Sequence, residues 1–140
     1  MSESSLLTMP GSVPKPPTID EDHLGRMTLG DRSLEREVLK IFARQTTLTL
    51  KRIAGAEPGH AAAAAHTLKG SARGVGAWRV AQAAERLEQA ATAGSGQAMK
   101  AAIMELEAAS SEVRAAIGAR LGGCLDEAAV DTFVDRWRDQ

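Results

Sequence analysis

One cysteine, Cys124, stands in 140 residues, so the chain closes no disulfide on itself and suits a reducing cytosol. No apolar run approaches the roughly 18–20 residues that span a bilayer. The opening residues, Met1 to Met9, bring neither the basic stretch nor the long apolar stretch of a secretory signal. Charge is nearly balanced, with 17 Lys and Arg against 18 Asp and Glu, so nothing draws the protein as a whole to nucleic acid or to an anionic membrane. Aromatics are scarce, with no Tyr, two Phe and two Trp. Alanine fills their place, together with Leu, Glu, Lys and Arg, the residues that lose least on entering a helix. The expectation is a soluble, cytoplasmic, all-α protein, read as a monomer, with length for one domain and an ordinary core.

Four of the five prolines (Pro10, Pro14, Pro16 and Pro17) fall within residues 1–18. Proline removes backbone donors and disfavours helix just before itself, so this stretch reads as a disordered or extended leader. From Ile19 the pattern changes. Asp20 is placed to cap a short helix carrying His23, Leu24 and Met27, ending near Gly30. Asp31 or Ser33 caps a longer one with a stripe of Leu34, Val38, Ile41, Phe42, Gln45, Leu48, Thr49 and Ile53. Gly55 to Gly59, with Pro58, makes a turn. Further helices are predicted over 60–73, over 77–93 with Val80, Ala84, Leu87 and Ala91 inward, and over 97–121 with Met99, Ile103, Leu106, Ser110, Val113 and Ile117 inward. Short loops between long helices make antiparallel neighbours. The predicted architecture for residues 19–121 is an antiparallel up-and-down four-helix bundle with a short N-terminal helix. Residues 122–140 form a tail in which Val130, Phe133, Val134 and Trp137 recur at i, i+3, i+4 and i+7, the mark of an additional amphipathic helix.

The helix over 60–73 carries the most unusual surface. At about 100° per residue, Ala61, Ala64, Leu68, Ser71, Ala72 and Val75 face away from His66, while Ala62, Lys69, Gly70 and Arg73 share its side. The histidine is thus expected on the wet face, with small residues one turn before (Ala62) and one turn after (Gly70). Glycine inside a helix costs about 1 kcal/mol against alanine, so Gly70 wants a reason, and a bare surface for a partner's approach is one. Lys69 at i+3 and Arg73 at i+7 add two cations suited to holding an anion such as a phosphoryl group. An imidazole is a competent nucleophile when neutral, and neighbouring cations disfavour a further positive charge beside them.

The chain has no Gly-rich phosphate loop, no Walker lysine and no kinase signature, and no acidic Mg²⁺ pocket is evident. His66 would relay a phosphoryl group without drawing it from ATP unaided. A metal site is not expected, because His60 lies about 120° round the helix from His66 and Cys124 has no Cys or His partner at zinc spacing. On the residues alone, phosphoryl chemistry and an idle surface histidine both stay open.

The run Ala65-His66-Thr67-Leu68-Lys69-Gly70-Ser71-Ala72 resembles the His-x-Leu-Lys-Gly-Ser signature of histidine-containing phosphotransfer (HPt) domains of multistep two-component signalling. Val75-Gly76-Ala77 is similar to that family's junction into the next helix, and Leu87-Glu88 to the pair usual on that helix. The acidic turn and the Leu34-to-Phe42 helix resemble its opening helices, so the likeness runs over about residues 20–120. It implies a four-helix bundle in which His66 accepts a phosphoryl group, through Nε2, from a receiver-domain aspartate and passes it to another receiver or back. Lys69 would offset phosphoryl charge, Gly70 would leave room for the receiver, and Glu88 would orient the imidazole. Arg73 would only assist, being less uniform in the family. The resemblance implies no cofactor on this chain, with Mg²⁺ belonging to the receiver. Receivers, free or fused to hybrid kinases, would be the partners. A different class of function also fits a helical bundle: docking on signalling proteins and regulating them without being phosphorylated.

Overall fold

A computed structural model describes residues 18–122. The expected leader, Thr18 apart, and the expected tail helix with Cys124 lie outside those residues. Among the described residues there are five helices and no strand: α1 (Glu21–Met27), α2 (Arg32–Ile53), α3 (Pro58–Val75), α4 (Trp78–Ala93) and α5 (Gly96–Arg120). α3 packs on α4, α4 on α5 and α2 on α3, and α5 closes the ring against α2, with α1 laid on α3. This is the expected all-α antiparallel bundle with a short helix before it.

The helix boundaries follow from local chemistry. Asp20 Oδ1 accepts from the His23 amide at 3.1 Å, and Asp31 Oδ1 from the Leu34 amide at 3.0 Å, each satisfying a donor with no partner inside its helix. Asp31, not Ser33, is therefore the cap of α2. Pro58 starts α3 two residues earlier than the predicted His60, because a first-turn amide has no intrahelical acceptor to lose. Ser95 Oγ caps α5 through the Ala98 amide at 3.2 Å.

The core is aliphatic. Leu24, Leu39, Phe42, Ile53, Leu68, Leu87, Leu106, Val113 and Ile117 are all at most 2 % exposed. The inward residues expected for α4 are all buried, and those of α5 are buried apart from Met99 and Ile103, which are partly so. The face of α2 is turned from the expected one. Leu39, Ala43 and Thr46 are buried, whereas Leu34 and Ile41 stand 44 % and 51 % exposed. Thr46 is tolerated inside because its hydroxyl donates back to the Phe42 carbonyl at 2.8 Å, so a polar side chain occupies a core position with its hydrogen bond made.

α1 is fastened where α3 hands over to α4. The Asp20 amide donates to the Gly76 carbonyl at 3.0 Å, and Asp20 Oδ2 accepts from the Trp78 indole at 2.9 Å. That indole bond, with the His23 amide behind it, holds the Asp20 carboxyl below the usual carboxylate range. The His23 and Trp78 rings lie 4.9 Å apart. Gly76 permits the whole arrangement. Its φ is +80°, and a Cβ there would sit 3.0 Å from both Asp20 Cβ and Asp20 O, so a side chain would be strained and crowded together.

Candidate functional site

α3 and α4 meet through small residues. Ala61, Ala65, Leu68 and Ala72 of α3 and Ala83, Ala84, Leu87 and Ala91 of α4 are all buried. Small contacts hold two helices toward the near end of the 8–10 Å range of interaxial distances, so side chains on the outer rims of the seam can reach across. The sharp reversal at Gly76-Ala77 sets the register. His66 and Glu88 each stand eleven residues from Ala77, and Lys69 and Glu85 each stand eight. Antiparallel packing brings each pair level.

The side chains use this register. His66 Nδ1 lies 2.9 Å from Glu88 Oε2, and Lys69 Nζ donates to Glu88 Oε1 at 2.9 Å. One carboxylate thus serves two nitrogens. Lys69 also sits 3.9 Å from Glu85 Oε1, and Arg73 Nη2 donates to the same oxygen at 3.4 Å. The His66 side chain is 67 % exposed while Lys69 is 15 % exposed: the imidazole stands in water and the lysine lies along the seam. The Lys69 hydrogen bond, more than that from His66, holds the Glu88 carboxyl below the usual range against the opposing effect of burial. Glu88 is therefore ionised at neutral pH and can only accept. The Nδ1 facing it carries a proton, so a neutral His66 ring keeps its lone pair on Nε2.

Gly70 is exposed and a Cβ built on it meets nothing within 4 Å. The surface one turn beyond the imidazole is therefore open, and the absence of a side chain there answers to no internal contact. Ala62, one turn before, is half-buried. His60 is exposed in the first turn of α3. Among the described residues, no three His, Cys, Asp or Glu side chains gather as metal ligands would.

Three features differ from the sequence reading. Ala65, next to His66, is fully buried, while Ala64 and Ser71 are only half-buried; the buried face of α3 is turned toward α4, which packs beside the histidine. Lys69 is not a free cation on the wet face, because Glu88 draws it into the seam. Arg73 is matched by Glu85 and makes its hydrogen bond there, away from the ring. The cations expected to face the imidazole unopposed are each paired with acid. Glu85 escaped the sequence reading, and its signal was the Glu85/Glu88 pair at i, i+3, level with the Lys69/His66 pair across a tight turn.

The model of the Hpt domain family matches residues 36–121. The chain belongs to the Hpt family. Its role is accordingly phosphotransfer in two-component signalling. Among solved structures, the chain is similar to the X-ray structure of a rice protein provisionally named a histidine-containing phosphotransfer protein. That match has 19 % identity and a TM-score of 0.65, and covers 82 % of each chain; at such identity it shows the shared fold. No curated protein matches the chain. No described helix is long and apolar enough to cross a membrane.

Proposed function

We propose that this Hpt protein is a cytoplasmic phosphorelay carrier that takes a phosphoryl group on His66 from a receiver aspartyl phosphate and gives it to another receiver, or back. The single observation that carries this reading is the bond from His66 Nδ1 to Glu88 on a ring left 67 % exposed. It supports a ring whose Nδ1 carries the proton, which leaves Nε2 as the nitrogen that faces the partner. In the forward step Nε2 attacks phosphorus, the N–P bond forms, and the bond from phosphorus to the aspartyl oxygen breaks. The aspartate leaves as a carboxylate. The positive charge that develops on the ring is met by Glu88 through the Nδ1 proton. The reverse step uses the same groups.

Lys69 has two roles in this reading. In the resting protein it is bonded to Glu88. As the phosphoryl oxygens arrive, its flexible stem lets the ammonium turn toward them, which leaves the whole charge of Glu88 to the imidazolium. Arg73, tied to Glu85, serves as an auxiliary source of positive potential. Ala62 and Gly70 keep the surface low so that the receiver can bring its own acidic pocket and Mg²⁺ against the ring. This chain needs no cofactor of its own in that scheme.

The test is exposure of the purified protein to a phosphorylated receiver. The expected result is an acid-labile, base-stable label that disappears in His66→Gln while helicity is retained. A label that persists in folded His66→Gln contradicts the assignment. The non-phosphorylated docking alternative predicts no label on the native chain, and partner regulation unchanged in His66→Gln.

A further inference from the structure

Glu85 is the member of the α3–α4 charge cluster to which the proposed transfer gives no task. Its Oε1 accepts from Arg73 Nη2 at 3.4 Å and lies 3.9 Å from Lys69 Nζ. The imidazole is served by the other acid, Glu88. The Glu85 side chain is 44 % exposed and that of Arg73 57 %. Ion pairs so open to water contribute little to stability, so fastening α3 to α4 does not account for the pair.

Arg73 stands seven residues beyond His66 on the same side of α3, about 10.5 Å along the axis. Side chains of a helix lean toward its N-terminus, which for Arg73 is toward the ring. A guanidinium also has the fork of donors that suits phosphoryl oxygens. Lys69 lies closer still, bonded to the same Glu88 carboxylate as the imidazole. Both cations can therefore close on a phosphoryl group at Nε2, which brings about two negative charges at neutral pH. Glu85 opposes that closure. To reach the phosphoryl oxygens Arg73 must give up its hydrogen bond to Glu85, and Lys69 must move away from two carboxylates. The two acids of α4 match the two cations of α3 charge for charge.

For a carrier this restraint has a use. A phosphoryl group gripped by both cations is stabilised where it rests, and ground-state binding of that kind raises the barrier to its departure. We propose that Glu85 is a positioning residue that acts chiefly through Arg73: it holds the guanidinium back from a phosphoryl group on His66 and so keeps that group easy to give away. The inference rests on the reading of His66 as the phosphoryl carrier. In the return step an aspartate oxygen of the receiver attacks phosphorus, and the P–O bond forms as the N–P bond breaks. The electron pair of the broken bond returns to Nε2, and the Nδ1 proton stays on the ring. Arg73, kept at Glu85, leaves the departing oxygens to the receiver.

The experiment is the equilibrium partition of a radiolabelled phosphoryl group between the full chain and a purified receiver, with both transfer rates measured. Glu85→Gln keeps the size of the side chain and removes its charge. The ratio of labelled chain to labelled receiver should rise about fivefold, in keeping with one partly exposed ion pair. The rise should come from slower return transfer, and added salt should shrink it. Glu85→Asp, which keeps the charge, should bring the ratio most of the way back to native. With Arg73→Ala already in place, Glu85→Gln should lose more than half of its effect. The inference is overturned, and the carrier reading kept, if the native chain is labelled on His66 and Glu85→Gln leaves the ratio unchanged or lowers it. It is overturned as well if Glu85→Asp behaves as Glu85→Gln does, or if the whole effect persists without Arg73. A native chain that takes no label overturns the carrier reading itself, and this inference with it.

Discussion

Two clusters of charge on this bundle are built from the same residue types with opposite balance. At the α3–α4 seam one carboxylate, Glu88, is divided between two nitrogen groups, Lys69 and His66. At the end of the bundle one guanidinium, Arg120, is divided between two carboxylates, Glu21 and Glu35. The first cluster satisfies its acid and still leaves the His66 ring in water, with Nε2 outside the pairing. The second has its cation fully engaged, the hydrogen bonds to Glu21 and Glu35 outweighing burial and raising the Arg120 pKa, and it joins three helix ends. A polar cluster with a surplus exposed nitrogen is poised to bind or react, and one whose cation is saturated serves to hold.

The comparison is tested most severely at Gly70. Gly70→Gln places a long side chain on the open surface beside the ring, at a position where a Cβ meets nothing within 4 Å. Phosphotransfer should slow about tenfold or more, equivalent to ~1.4 kcal/mol of lost docking energy, with thermal stability unchanged or raised, since glycine is the poorer helix former. Unchanged transfer rates would mean that the open surface is not the approach route.

A middling effect is expected from Glu88→Gln, read as stability against pH. The carboxyl of Glu88 is held below its ordinary value of 4.5, chiefly by Lys69. Its contribution is therefore fully present above that ordinary value and is lost as pH falls through the lowered one. Thermal melts should show native protein above Glu88→Gln at pH 7, with the difference closing only below about pH 4.5. A gap that persists in stronger acid would place the effect in packing and not in charge.

The smallest effect belongs to the saturated cluster. Arg120→Ala should cost up to about 1 kcal/mol in chemical denaturation, the scale of a partly exposed ion-pair network, and leave phosphotransfer rates at the native value. A transfer defect in Arg120→Ala would erase the distinction between the holding cluster and the reactive one.

Much of this was legible in the residues. Caps at Asp20 and Asp31, glycine at the ends of helices and a run of alanines give the element order, because those signals are local. The exposure of His66 and the opening at Gly70 also follow from counting round a single helix. The pairing of Lys69 and Arg73 did not, since counting round α3 cannot say what α4 presents, and Glu85 became visible only through the register set at Gly76. The misjudged face of α2 has a different cause. Leu34 and Ile41 look like core by hydropathy, yet Thr46 takes a buried position with its hydroxyl bonded to its own helix, and hydropathy does not register that bond.

The central claim is that Glu88 fixes the proton on Nδ1 and leaves Nε2 of His66 as the reacting atom. The most direct measurement is phosphorus and nitrogen NMR on the ¹⁵N-histidine-labelled protein after transfer from a phosphorylated receiver, which identifies the nitrogen bonded to phosphorus. A single phosphohistidine at His66 with the N–P bond on Nε2, and Nδ1 still protonated, is the predicted result. Phosphorus on Nδ1, or on His23 or His60, would contradict the account.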